Sequence, residues 1–170
     1  EDLKKTMSIT PAYLVTQDVD DVTDFSQMTL ELGRRFRALK LWFVIRCYGV
    51  SGLQSIIRDH VRWTEEMARR IADTDGLEIT SPPRLGLFSF RLAPAHMADG
   101  AALDDLNARL VDAINQDGAL YLTQSMHEGR YVIRVSIGTT ATTAGDINIA
   151  YERIVALAEP LLAEKSCLQS

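Results

Sequence analysis

The first residue of this 170-residue sequence that could do chemistry is a tyrosine in a long polar segment. Tyr13 lies between Ser8 and Asp24, where a proline and several acids prevent a regular apolar period from developing. A connection of this length without regular structure is uncommon in a compact domain, and such connections often serve as lids or binding loops. The pKa of a phenol is about 10, so a tyrosine held against a basic reacting atom can donate a proton.

The second candidate is a run of cations inside an apolar stretch. Residues 34–46 contain no acid but five cations, which are Arg34, Arg35, Arg37, Lys40 and Arg46. The apolar side chains of this stretch cover every side of a helical wheel, which is typical of a helix buried all round. Buried cations need partners, and a domain of this size has little room to surround such a helix. We therefore expect an extensive interface with something else, and a structural ion-pair network is the plainer alternative.

Other kinds of site find little support in the sequence. His60, His96 and His127 have neither the spacing of zinc ligands nor that of a legible catalytic triad. The glycines do not form a phosphate-binding loop. Cys47 and Cys167 are far apart and lack a metal-binding or redox spacing, and we expect Cys47 to be a buried free thiol. No metal site is predicted.

Composition is ordinary for a globular domain, with 46% hydrophobic and 24% charged residues. The net charge of −5 argues against nucleic-acid binding by bulk electrostatics. No apolar run approaches the roughly 20 residues that a membrane helix needs, and residues 1–5 lack the apolar core of a signal peptide. We expect a cytoplasmic protein that binds neither nucleic acid nor membranes.

The elements that must position these residues follow from hydrophobic periodicity. Helices are predicted over about 32–48, 51–73, 101–116 and 145–164, and strands over 77–80, 85–92, 120–126 and 130–137. The last two strands form a hairpin through His127-Glu128-Gly129, and Ser51 is expected to cap the second helix. This order predicts an α+β domain with a small antiparallel or mixed sheet and helices on one face.

A longer motif in the cation-rich stretch connects the sequence to a known family. Leu32-Gly-Arg-Arg-Phe-Arg-Ala-Leu-Lys-Leu-Trp-Phe43, with Arg46, Tyr48-Gly49-Val50 and Gly52-Leu53-Gln54 after it, closely resembles the aromatic-L-amino-acid decarboxylases. These enzymes belong to the group II pyridoxal-phosphate-dependent decarboxylases. Thr10-Pro11-Ala12-Tyr13-Leu14 is similar to the mobile-loop motif of that family. The resemblance covers essentially the whole chain and is most specific over residues 30–60.

The resemblance implies an α/β fold, namely the C-terminal portion of an aspartate-aminotransferase-like, fold type I enzyme that ends in the small α+β domain. Residues 1–30 would be the mobile active-site loop and the end of the large domain. Residues 31–75 would link the large and small domains and contribute to a homodimer interface, and residues 76–170 would form the small domain. In the family, a lysine directly after a histidine holds pyridoxal 5'-phosphate as a Schiff base. No lysine here follows a histidine, so we expect an upstream segment of the enzyme to bind the cofactor and this fragment alone to be inactive.

The resemblance also implies roles for particular residues. Tyr13 matches a loop tyrosine that reaches the active site of the dimer partner and protonates the α-carbon after CO2 is lost. Relatives with phenylalanine at that position tend toward aldehyde formation with oxygen. Gly33 matches a position that lines the substrate pocket, where relatives that act on histidine tend to carry serine. An aromatic L-amino acid converted to its amine is therefore the implied substrate, with Arg34, Arg35 and Arg37 as structural or interface residues.

The sequence departs from the family pattern at two places. Glu31 stands where the family usually has proline, and Ser26-Gln27 replaces a stretch in which an arginine is often found. Two other classes of protein stay open at this point. One is a stand-alone α+β ligand-binding or regulatory module that uses residues 1–75 as a dimerising arm. The other is a nucleic-acid binder that uses residues 34–46 and would show steep salt dependence.

Overall fold

The computed structural model describes Asp2, Thr6 and residues 36–164. The helices and strands of residues 36–164 are α1 (Arg37–Ala72), β1 (Leu77–Arg84), β2 (Leu87–Leu92), α2 (Ala101–Asp117), β3 (Thr123–His127), β4 (Arg130–Ser136) and α3 (Ala144–Ala163). Contacts divide the chain into two compact units, Glu1–Gly49 and Val50–Ser170. None of the described helices combines the length and the apolarity needed to cross a membrane.

The predicted order of strands and helices from residue 77 is confirmed. The four described strands form one sheet in the order β1-β2-β4-β3, and each neighbouring pair is antiparallel. One face of this sheet is apolar, because alternate residues of a strand point to the same side. Helices α2 and α3 and the end of α1 pack against that face in one cluster, which includes Ile71, Phe88, Phe90, Leu110, Ile114, Ile133 and Ile154.

The break predicted between the helices over 32–48 and 51–73 is confirmed, because the backbone of Gly49 leaves the helical conformation inside the range numbered as α1. Gly49 has φ 67° and ψ 166° inside α1, a combination that essentially only glycine adopts without strain. An added Cβ would meet no atom within 4 Å, so backbone conformation rather than space requires glycine here. The prediction that Ser51 caps the second helix is wrong, because the helical conformation resumes directly after Gly49 and Ser51 already lies within it.

One tight turn connects the two strands of each hairpin. Gly86 lies in the turn between β1 and β2. Its carbonyl oxygen accepts a hydrogen bond from the amide of Ile137 at 2.7 Å, and a Cβ on Gly86 would collide with the carbonyl oxygen of Ile137. Between β3 and β4, Glu128 and Gly129 both have positive φ, 51° and 77°, as a type I′ turn requires. The hairpin predicted around Gly129 is therefore confirmed.

Strand β3 begins at Thr123, three residues later than predicted. The amide of Leu122 donates to Oδ1 of Asn115 at 2.8 Å, and Nδ2 of Asn115 donates to the carbonyl oxygen of Leu122 at 3.0 Å. These two bonds satisfy the main-chain groups of Leu122 with a side chain of α2 instead of a neighbouring strand. The strand ladder therefore starts only at the next residue.

Helix α2 also completes the sheet where β2 and β4 separate. The register of the β2–β4 ladder ends at Phe90. Beyond it, the amide of Leu92 donates to Oδ1 of the buried Asn107 at 2.7 Å, and Nδ2 of Asn107 donates to the carbonyl oxygen of Leu92 at 3.2 Å. On the other strand, the amide of Tyr131 donates to Oδ1 of Asp104 at 2.9 Å. Two α2 side chains thus supply the hydrogen bonds that the diverging strands cannot make to each other.

Replacing Asn107 by leucine is expected to destabilise the protein by about 2–4 kcal/mol, because buried main-chain donors and acceptors of Leu92 lose their partners. Chemical unfolding measures this change. Gln116→Leu, at an exposed position of the same helix, is the matched control and should change stability by about 0.5 kcal/mol or less. Equal effects of the two substitutions would contradict the assignment.

Candidate functional site

Most of the predicted site residues fall outside the part of the chain that the structure describes. Tyr13, Gly33, Arg34 and Arg35 lie outside the described residues, and their roles stay predictions. Arg37 is the first residue of α1 and is exposed. The described segment that follows these residues directly in the sequence is the first part of α1.

Residues 36–48, which we call the arm, present an apolar surface. The exposed fraction is 73% for Phe36 and 61% for Leu41. An open apolar hollow of about 500 Å³ is lined by Phe36, Ala38, Leu39, Leu41, Trp42 and Ile45. Exposed apolar surface of this kind marks an interaction site. Burial of the arm against something outside the chain stays a prediction, whereas the expected burial of Cys47 is wrong for the chain by itself because this thiol is exposed.

Within residues 36–164, the ion-pair network that was the plainer alternative is not formed by Arg37, Lys40 or Arg46. Among residues 36–164, no carboxylate lies within 4.0 Å of Arg37, Lys40 or Arg46. The guanidinium of Arg46 instead lies over the ring of Trp42, 5.8 Å from its centroid, within the range of a cation–π interaction. The arm therefore combines exposed aromatic surface with cations that no described carboxylate neutralises.

The described residues do not fit a site for pyridoxal phosphate. Lys40 is the one lysine among them, and it is exposed on α1 and follows a leucine. His60 is buried beside Trp63, with 5.9 Å between the ring centroids, and His127 lies in the β3–β4 hairpin. Within residues 36–164, no group of three or more histidines, cysteines, aspartates or glutamates could hold a metal ion. No step of cofactor chemistry is assigned to this part of the chain.

Perturbed carboxyl groups at the two ends of α3 have structural causes. Asp146 accepts hydrogen bonds from the side chain and the amide of Thr143, both at 2.8 Å, and these bonds lower its pKa. At the other end, Arg109 donates two hydrogen bonds to Glu164 at 2.9 and 2.6 Å. This pair lowers the pKa of Glu164 and raises that of Arg109. Both carboxylates stabilise the ends of α3, so their lowered pKa values have a structural cause and are not evidence of a catalytic role.

One buried charge, that of Arg91, was not predicted from the sequence. The alternation along the predicted strand 85–92 places Arg91 on the side opposite Phe88 and Phe90, but nothing in it indicates that the side chain of Arg91 is fully buried. Its Nη2 lies 3.0 Å from Oδ1 of Asp99. Among the described residues, none of its three side-chain nitrogens has an aligned hydrogen-bond acceptor, so its pairing with Asp99 is electrostatic only.

Acidification is expected to destabilise the protein through Asp146 and Glu164. Because their pKa values are lower in the folded state, their stabilisation is complete above the ordinary carboxyl pKa of about 4 and is lost as the pH falls further. Thermal unfolding between neutral pH and pH 3 should give a shallower pH dependence for Asp146→Asn with Glu164→Gln. Glu159→Gln, on the same helix but outside both contacts, should keep the slope of the unmodified protein. An unchanged slope in the double variant would refute the linkage.

Similarity to known proteins extends over nearly the whole chain. The model of the pyridoxal-dependent decarboxylase conserved domain matches residues 1–93. The aromatic-L-amino-acid decarboxylase of Sus scrofa is 36% identical over 164 residues, which cover 95% of this chain and 32% of that protein. The chain spans about a third of the length of the curated relatives it matches.

Solved structures share the fold. The structure of Oryza sativa TDC with PLP and tryptamine is 30% identical, with a TM-score of 0.77 over 94% of this chain and 34% of that one. The Rhodiola rosea 4-hydroxyphenylacetaldehyde synthase is 29% identical, with a TM-score of 0.73 over 85% of this chain and 31% of that one.

These likenesses establish the class of the fold as that of the fold type I pyridoxal-phosphate enzymes, as the sequence predicted. The match of the family model covers more than half of the chain. The chain therefore belongs to the pyridoxal-dependent decarboxylase family, and the resemblance stated from residues 32–54 is confirmed.

Proposed function

We propose that this chain is the C-terminal part of a pyridoxal-phosphate-dependent decarboxylase that converts an aromatic L-amino acid into the corresponding amine and CO2. The observation that carries the proposal is the similarity to an aromatic-L-amino-acid decarboxylase across 95% of the chain. The structural neighbour from Oryza sativa, solved with PLP and tryptamine, supports the cofactor and the substrate class. The cofactor is assigned to an upstream segment, because the described residues do not fit it.

The reaction needs one proton at the α-carbon. An amino acid that loses its carboxylate as CO2 keeps the bonding electron pair on that carbon, and one proton must be added to complete the amine. We assign this proton to the hydroxyl of Tyr13, since a positioned phenol is a competent general acid. A pocket closed to water and oxygen protects the carbon until the proton arrives. The aldehyde synthase among the structural neighbours supports the view that the outcome at this carbon varies between close relatives.

The arm supplies the contacts that make such a site complete. Its exposed Phe36, Leu41 and Trp42 are suited to packing against the upstream part of the same enzyme and against a second subunit. We propose a homodimer in which this packing holds the segment containing Gly33 at the substrate pocket. Glycine at position 33 has no Cβ, which leaves room for a phenol, catechol or indole ring.

Tyr13→Phe in the full-length enzyme is expected to lower amine formation by roughly 10²-fold, a typical contribution of a general acid. Aldehyde and hydrogen peroxide should appear instead, because oxygen then reacts at the unprotonated carbon. Quantifying amine, CO2, aldehyde and peroxide from tyrosine, DOPA and tryptophan measures this change. Tyr48→Phe, which removes a phenol from the arm, is the control. Unchanged amine output in Tyr13→Phe would refute the proton donor, and absence of CO2 release by the unmodified enzyme would refute the function.

Gly33→Ser is expected to raise kcat/KM for histidine relative to aromatic substrates by about tenfold, because a change of one small group in a pocket has effects of this size. Competition assays with paired substrates measure the ratio directly. Ala38→Ser adds the same hydroxyl to the exposed side of the arm and should leave the ratio unchanged. If the ratio stays constant in Gly33→Ser as well, position 33 does not line the pocket.

A further inference from the structure

A pocket of about 290 Å³, which we call the α3 pocket, opens where the first turns of α3 meet the sheet. Its walls come from the loop 119–122 after α2, from the end of β4 and from residues 142–150. The apolar part of the lining includes Leu120, Leu122, Val135, Ile137, Ile147 and Ile149. Small-molecule pockets commonly have volumes of roughly 300–1,000 Å³, so this one suits a compact ligand.

The α3 pocket contains one negative charge. Asp146 is the one charged side chain among the described residues that line it, and no described cation lies within 4.0 Å of its carboxylate. Both hydrogen bonds from Thr143 go to Oδ2, so Oδ1 is left without a donor among the described residues. The same bonds lower the pKa of Asp146, and the group is therefore an anion at neutral pH.

An apolar lining with a single anion selects a ligand that has an apolar body and one positive charge. The free Oδ1 of Asp146 can accept a charge-assisted hydrogen bond from an ammonium group. Tyr121, which is 78% exposed, offers an aromatic ring for stacking or for a cation–π contact. Since the described lining contains no cation, the carboxylate of an amino acid would be repelled by Asp146 and would lack a partner. The pocket therefore favours an amine over the corresponding amino acid.

We propose that the α3 pocket binds an arylalkylamine, with the ammonium group of the ligand at Asp146 and its aromatic ring against the apolar lining. A primary alkylamine resembles the side chain of lysine, whose pKa is about 10.4, so the ligand is a cation at neutral pH. Arylalkylamines are the product class of the proposed decarboxylation, and the identity of the ligand rests on that proposed function. The pocket itself depends only on the described residues of the second compact unit, Val50–Ser170.

The test uses the full-length holoenzyme and 4-azidophenethylamine, an arylalkylamine that attaches to nearby residues on illumination. Mass spectrometry should find the label on peptides that contain residues 119–122 or 146–150. The N-acetyl derivative of the probe has the same ring but no charge, and it should label these peptides about fivefold less or weaker still, because a hydrogen bond between charged groups is lost. Excess tyramine should suppress the labelling. Excess D-tyrosine, an isomer that an L-amino-acid decarboxylase does not consume, should leave it unchanged.

Two substitutions give the second measurement. Asp146→Asn removes the charge, and Ala119→Trp fills the pocket from an exposed position; each should lower the labelling about fivefold or more. Glu159→Gln and Ala156→Trp, at exposed positions of α3 outside the pocket, are the matched controls and should keep the labelling of the unmodified enzyme. Circular dichroism checks that each variant is folded.

The outcomes separate the pocket from the reaction. Absence of label from these peptides, equal labelling by the uncharged probe, or unchanged labelling in Asp146→Asn would overturn the proposal. Decarboxylation is assayed on the same samples. Charge-dependent labelling without CO2 release supports the pocket and refutes the proposed function, and CO2 release without such labelling does the reverse.

Discussion

The hydrogen bonds of Asn107 are the constraint on which the sheet and its covering helices depend. Strands β2 and β4 diverge after Phe90, and a buried strand end with unpaired main-chain groups is costly. One carboxamide offers a donor and an acceptor in the arrangement of a neighbouring strand, and it satisfies Leu92 from the side of α2. Helix α2 is thereby attached to the sheet by specific geometry as well as by apolar burial. Asn115, about two turns further along the same helix, makes the same pair of hydrogen bonds to the main chain of Leu122.

The apolar surfaces of the described residues differ in what covers them. The apolar face of the sheet is completed inside the chain by α2, α3 and the end of α1. The arm, in contrast, keeps aromatic and aliphatic side chains exposed within the described part of the chain. The chain spans about a third of the length of its relatives, and this exposed surface supports the proposal that the arm packs against other parts of the enzyme.

Local patterns predicted much of the fold, and their failures have identifiable physical reasons. Hydrophobic periodicity and turn-forming residues predicted the order of strands and helices. Both are local, because amphipathic faces and tight turns depend on residues close together in the sequence. The predicted start of β3 was wrong because the side chain of Asn115 takes the place of a strand partner for the main chain of Leu122. The end of β1 was missed because Pro82 and Pro83 resemble a turn, yet an edge strand tolerates residues that cannot donate a ladder hydrogen bond.

The sequence by itself determined the family and the candidate site residues, because the motif around Gly33 and the loop motif around Tyr13 are contiguous and need no folding to be read. It also predicted the hairpin turn at Gly129, because the turn depends on the local preference of glycine. Only the tertiary structure decided that Arg91 is buried, that Asn107 bonds Leu92 and that Cys47 is exposed. These properties depend on which distant elements cover a residue, and burial and hydrogen-bond partners between separate elements are set by packing rather than by the residue and its neighbours.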